Sequence, residues 1–249
     1  MKLHLIIALV AGASASPAFS ALFTSGHGDI GIAYEEEPGE PSVFFLHNHV
    51  SPNGVVDGMS GSDQEFAAGD STIVVPLTTM GTQSDSQLDA GTGVSGGPIW
   101  ALSDSSTEAA AQGAPFLGFA AEELTPSDWD ATAMITFTLG SVTSPSGSGS
   151  FSAWNRDGFG NPLFFLSTEG AGLTENNNTI TIPAGTESHF NLGFSEPGNW
   201  GIEFTVAGTH VVDGPQSSTG TFNFTVVPEP SSALLAAIGS LALMRRRRS

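Results

Sequence analysis

The sequence predicts an all-β protein, an antiparallel β-sandwich or jelly roll, with an N-terminal signal helix and a short C-terminal hydrophobic helix. Three observations carry this. Short alternating or wholly apolar runs recur along the body, the pattern of strands with one or both faces covered. Clusters of Gly, Pro, Ser, Asn and Asp separate them, as in Ser144-Pro-Ser-Gly-Ser-Gly149 and Glu175-Asn-Asn-Asn178. No part of the body repeats apolar residues at helical spacing over a long stretch.

The elements follow in order. Lys2, the apolar run Leu3 to Val10 and the small-x-small triplet Ala18-Phe19-Ser20 read as a signal peptide over residues 1–20, with Ala13-Ser14-Ala15 as a second cleavage triplet. The body, residues 21–227, is expected to be one sandwich. Its strands are expected at Asp29–Tyr34, Val43–Val50, Thr72–Pro76, Pro98–Leu102, Ala131–Leu139, Ser150–Asn155, Pro162–Ser167, Thr179–Ile182, His189–Phe194, Gly198–Val206 and Gly220–Val226. A long, loop-rich middle spans Gly81 to Thr125, with one or two helical turns over Ser105 to Gln112 capped by Ser105 or Ser106. Residues 228–249 form a separate tail.

Charge and cysteine content exclude several functions. The six Lys and Arg are Lys2, Arg156 and Arg245 to Arg248, and 24 of the 25 acids lie in the body. One cation against 24 acids leaves the body at about −23. No nucleic acid partner is expected, because such a surface lacks the cations that would neutralise phosphates and release their counterions. The acids keep the body soluble and attract cations. With no cysteine, thiolate metal sites and disulfides are excluded, and stability must come from the core or from a metal held by His and carboxylates.

Histidine gives the sharpest chemical signal. The body holds His27, His47, His49, His189 and His210. Side chains two apart on a strand share a face, so His47 and His49 point the same way, roughly 7 Å apart. A His-x-His pair can hold one metal ion if neighbouring strands supply one or two more ligands. His27 and His189 are the natural suppliers, and Glu187 shares the strand face of His189. Three imidazoles with a carboxylate or water suit zinc.

Other motifs carry less. His47-Asn48-His49 spells a nuclease motif, but the body lacks the positive charge to hold a phosphate backbone. Gly93-Val94-Ser95-Gly96-Gly97-Pro98 fits G-x-S-x-G and resembles the Gly-Asp-Ser-Gly-Gly-Pro of chymotrypsin-like proteases, with Val94 in place of Asp. A nucleophile elbow needs a helix after the serine, whereas Pro98-Ile99-Trp100 continues as a strand, so a glycine turn is expected. Asp57, Asp63, Asp70, Asp85 and Asp89 do not fit EF-hand spacing. Asn177 and Asn223 sit in N-x-T sequons.

The tail reads Pro228-Glu229-Pro230, then an apolar run from Ala233 to Met244, then Arg245, Arg246, Arg247 and Arg248. The run is about half the roughly 20 residues of a stable span, and the arginines would hold its end in the cytoplasm. This order resembles the PEP-CTERM sorting signal of Gram-negative bacteria. That resemblance implies export, transient membrane contact, processing by an exosortase and delivery to the cell surface or extracellular matrix.

The body carries a second resemblance. Its blocks are Gly26-His27-Gly28-Asp29-Ile30-Gly31, Leu46-His47-Asn48-His49, Pro98-Ile-Trp-Ala-Leu102, Gly118-Phe119, Phe151-Ser-Ala-Trp154, Asp157-Gly-Phe-Gly-Asn-Pro162, Ile182-Pro-Ala-Gly-Thr186, His189-Phe-Asn-Leu-Gly-Phe194 and Glu196-Pro-Gly-Asn-Trp200. Their order is similar to the choice-of-anchor M domain, a surface-anchored repeat domain of actinobacteria, and to the PEP-CTERM proteins regulated by the zinc uptake repressor. The resemblance implies a β-rich extracellular domain tied to zinc or manganese acquisition, beside a metal ABC transporter. The family's histidine blocks fall on His27, His47, His49 and His189, and Glu187 stands where the last block usually has the first His of His-x-His. The expected function is thus a non-enzymatic zinc-binding surface protein, with His47, His49 and His189 as ligands and His27 or Glu187 completing the site. The alternative is a structural or adhesive matrix protein without a metal, and a hydrolase would rest on Ser95 alone.

Overall fold

The computed structural model describes residues 20–36, 42–132, 134–171, 173 and 178–228. Residues 1–19 of the expected signal peptide, Asn177 and the tail from Glu229 lie outside the described residues; of the sorting-signal residues, only exposed Pro228 lies within them. Sixteen strands are described: β1 (Ala21–Glu35), β2 (Val43–Val50), β3 (Val55–Val56), β4 (Gln64–Ala67), β5 (Ser71–Val75), β6 (Met80–Thr82), β7 (Pro98–Leu102), β8 (Pro115–Ala120), β9 (Ile135–Thr143), β10 (Phe151–Arg156), β11 (Pro162–Ser167), β12 (Thr179–Ile182), β13 (Glu187–His189), β14 (Asn191–Phe194), β15 (Gly198–His210) and β16 (Gly214–Val226). Two short helices accompany them, α1 (Asp89–Thr92) and α2 (Ser106–Gln112).

The expected all-β, sandwich-like architecture is what forms. Eleven strands make one sheet along the order β12-β9-β15-β16-β5-β1-β2-β4, with β3 and β8 also on β1 and β13 on β8. A second sheet runs β11-β10-β14-β7-β6. Most pairs are antiparallel. Three parallel pairs, β1 with β5, β1 with β8 and β5 with β16, are set among them.

Strand β1 decides the site's position because its two halves have different neighbours. Ala21 to Phe23 pair with β5, Gly26 to Gly31 with β8, and Gly28 to Glu35 with β2. Alternation then sorts its side chains. Ile30 and Ile32 are buried in the main core, while His27, Asp29 and Gly31 take the opposite face. The core is aromatic. Phe119 meets Phe137 and Phe204, and Phe194 of the second sheet meets Phe224 of the first, at ring separations of 5.3 to 5.5 Å.

The expected loop-rich middle contains more structure than its glycines and prolines suggest. Strand β8, Pro115-Phe-Leu-Gly-Phe-Ala120, runs through it beside β1. Pro115 stands at the strand's first position, where its missing N–H costs no interior ladder bond. Helix α2 forms as expected, with the Ser105 hydroxyl accepting from the Glu108 N–H. The expected His189–Phe194 strand divides at Phe190 into β13 and β14, which serve different sheets.

Candidate metal centre

Five adjacent strands, β4, β2, β1, β8 and β13, bring polar side chains to one face of the large sheet. Partners directly opposite across a ladder share a face. One such row reads Glu65, His49, Asp29, Gly118, His189, and the next reads Ala67, His47, Gly31, Ala120, Glu187. His27 stands one step further along β1, opposite Phe116. The small residues are as important as the ligands. A Cβ on Gly118 would fall 2.3 Å from Asp29 Oδ1 and 3.0 Å from His189 Nε2, and one on Gly31 would fall 2.6 Å from His47 Nε2. Glycine at both positions leaves a floor on which neighbouring side chains lie.

His27, Asp29, Glu187 and His189 converge there, with one ligand atom from each lying within 4.8 Å of the others. His27 Nε2 is 3.1 Å from Glu187 Oε2 and 3.5 Å from Asp29 Oδ2. A tetrahedral zinc site separates its ligand atoms by roughly 3.3 Å, from bonds near 2 Å, so two pairs already stand at that spacing. Phe116 stacks on His189 at 3.7 Å and 3° between planes, fixing its ring.

Asp29 is the unusual member. Its side chain is 0% exposed, and neither oxygen makes an aligned hydrogen bond, its polar neighbours being His27 and Glu187. Burial, then the nearby carboxylates of Glu187 and Glu122, push its pKa up to about 8. Burial pushes His189 down to about 4 against the pull of Glu187, leaving a neutral imidazole whose buried Nε2 is also without a partner. Buried polar atoms are normally satisfied. A buried carboxyl group and a neutral imidazole, neither with an aligned hydrogen bond at the atoms turned into the site, are what a divalent cation would satisfy. Two imidazoles and two carboxylates fit zinc and, with harder oxygen donors, manganese.

The expected ligands divide into two groups. His27, Glu187 and His189 come together with Asp29, which the sequence reading left out. His47 and His49 share the same sheet face, as the two-residue period predicts, with ring centroids 6.5 Å apart. They stand one strand away, outside the four-residue group. His47 Nε2 is 2.9 Å from Glu123 Oε1, an ion-pair distance without hydrogen-bond alignment, and His49 Nε2 is 3.4 Å from Asp63 Oδ1. The contact with His47 holds the Glu123 carboxyl below the usual carboxylate range, against its partial burial. Asp29 could have been found by the same rule that singled out the other pairs, since His27-x-Asp29 repeats the spacing of His47-x-His49 and Glu187-x-His189.

Remaining motifs resolve into local structure. Ser95 donates to Asp89 Oδ2 at 2.8 Å, and among the described residues no histidine hydrogen-bonds it. Arg156 pairs with Asp85 at 2.9 Å. The Asn223 amide donates to the Gly69 carbonyl. His210 groups with Glu36 and Asp213, but its Nδ1 accepts the Asp213 N–H and the Asp213 carboxylate takes the Tyr34 hydroxyl.

The family profile described as the PEP-CTERM protein-sorting motif matches residues 226–248. No curated protein and no solved structure matches the chain. The motif marks the chain for export and for sorting to the cell surface by an exosortase.

Proposed function

We propose that this surface-sorted chain is a non-enzymatic protein that binds zinc or a similar divalent cation, for scavenging or for hand-over to an uptake system. The observation carrying this reading is Asp29, wholly buried among His27, Glu187 and His189 with neither oxygen in an aligned hydrogen bond. Those four side chains would hold the cation, and loading at neutral pH would release the Asp29 proton. A body charge of about −23 raises the local concentration of cations around the site.

The resemblance of the block order to the choice-of-anchor M domain favours the same reading and would make a metal ABC transporter the receiving partner. The test is elemental analysis of the purified chain after zinc loading and desalting. Wild type should retain at least one zinc per chain, and Asp29→Asn and His189→Ala should each retain one fewer. Equal zinc in all three chains defeats the assignment, and no zinc in wild type favours a structural or adhesive matrix protein.

A further inference from the structure

The geometry points to a second divalent-cation station on the same face, formed by His47, His49 and Glu123 and distinct from the Asp29 group. This inference rests on the metal-binding reading above and extends it from one cation to two. His47 is 2% exposed, its Nδ1 has no partner and its Nε2 faces the Glu123 carboxylate alone. Its ring borders a cavity of about 40 Å³ lined also by Gly31, His49, Glu122 and Glu123. That volume exceeds the roughly 10–15 Å³ that one water needs, so a cation with a bound water fits. A buried imidazole with an unpartnered Nδ1, opening on a small cavity with a carboxylate 2.9 Å from its Nε2, has the donor chemistry of a ligand.

His49 can complete the chelate. It lies two residues along the same strand face, and its present contact with Asp63 is a 3.4 Å approach to a carboxylate that is 65% exposed. Turning the ring from Asp63 towards His47 exchanges a weak surface contact for a metal bond. Gly31 is what makes room, because any Cβ there would meet His47 Nε2.

The two stations are neighbours without being one site. Asp29 and His49 are direct partners across the β1–β2 ladder, and strands in a sheet lie roughly 4.8 Å apart. Two cations would thus sit roughly 5–10 Å apart, one or two strand spacings. Glu122 lines the His47 cavity beside Glu123. Exposed Glu65 continues the row beyond His49 towards the β4 edge. Ligands laid out strand by strand give a cation successive footholds across the sheet, the arrangement that transfer to a partner at that edge requires.

Calorimetric titration of the purified, chelator-treated full chain with zinc tests this, together with bound-metal analysis. Wild type should take up two zinc ions per chain. Glu123→Gln, at a half-exposed side chain where folding is not at risk, and His47→Gln should each leave one. Asp29→Asn should also leave one, and Asp29→Asn combined with Glu123→Gln should leave none. One zinc in wild type, lost in Asp29→Asn and kept in Glu123→Gln and His47→Gln, overturns the second station and preserves the first. One zinc lost in all three variants means a single composite site and also overturns it. No zinc in wild type overturns both readings.

Discussion

In the metal-free protein, Asp29→Asn is expected to stabilise the fold, and to do so more at pH 8 than at pH 6.5. The Asp29 carboxyl titrates near 3.8 in an unfolded chain and is pushed up to about 8 by burial and by Glu187 and Glu122. Between those values the folded chain keeps a proton that the unfolded chain has released. Stability therefore falls as pH rises, by about 1.4 kcal/mol per pH unit. His189 acts in the opposite sense. Its pKa is pushed from 6.5 down to about 4, so between those values the unfolded chain binds the extra proton and stability rises with pH. The two slopes oppose one another below pH 6.5, and above it the Asp29 slope stands alone. From pH 6.5 to 8, wild type should lose about 2 kcal/mol relative to Asp29→Asn. Urea unfolding in chelator at the two pH values measures this, and titrations common to both chains cancel in the difference. Zinc should narrow the gap, adding about 2.7 kcal/mol more to wild type than to the variant at a hundredfold excess over Kd. A wild-type-minus-variant difference that stays constant from pH 6.5 to 8 refutes the reasoning.

The same structure yields further expectations. Gly118→Ala should fold but lose at least tenfold in zinc affinity by calorimetry, because its methyl displaces Asp29 and His189. Trp100→Phe should cost about 1–2 kcal/mol in urea unfolding, from the lost indole bond to the Val227 carbonyl and the smaller ring. A fluorophosphonate should leave Ser95 unlabelled by mass spectrometry, since its hydroxyl is engaged with Asp89; labelling there would reopen the hydrolase reading.

The sequence was informative where a single strand carries its own pattern. Val43–Val50, Pro98–Leu102, Pro162–Ser167 and Thr179–Ile182 are strands with the bounds their residues imply. Alternation alone set His47 with His49, and Glu187 with His189, on shared faces. It could not reveal which strands become neighbours. Glu187 lies 160 residues beyond His27 and still meets its ring, through β8. That strand was hard to read because Pro115 and Gly118 carry the signals of a loop. Both have structural reasons: Pro115 opens the strand, and Gly118 leaves space for Asp29 and His189. Asp29 was hidden for a related reason. A carboxylate in a strand reads as solvent-facing, and its burial depends on β8 and β13 covering it from distant parts of the chain.

The way the body ends has a mechanical consequence. The sorting motif begins at Val226, the last residue of β16. Immediately after it, the Val227 N–H donates to Val75 and its carbonyl accepts from Trp100. No slack chain separates the motif from the sheet. Tension applied at that end runs along β16, whose flanks are the thirteen-residue ladder with β15 and the parallel pairing with β5. Ladder hydrogen bonds lie across the strand, so such a load shears many together and does not open them one at a time. A domain held by this end would resist drag through its longest strand pair, while the ligand-bearing strands β1, β2 and β13 lie outside that pair.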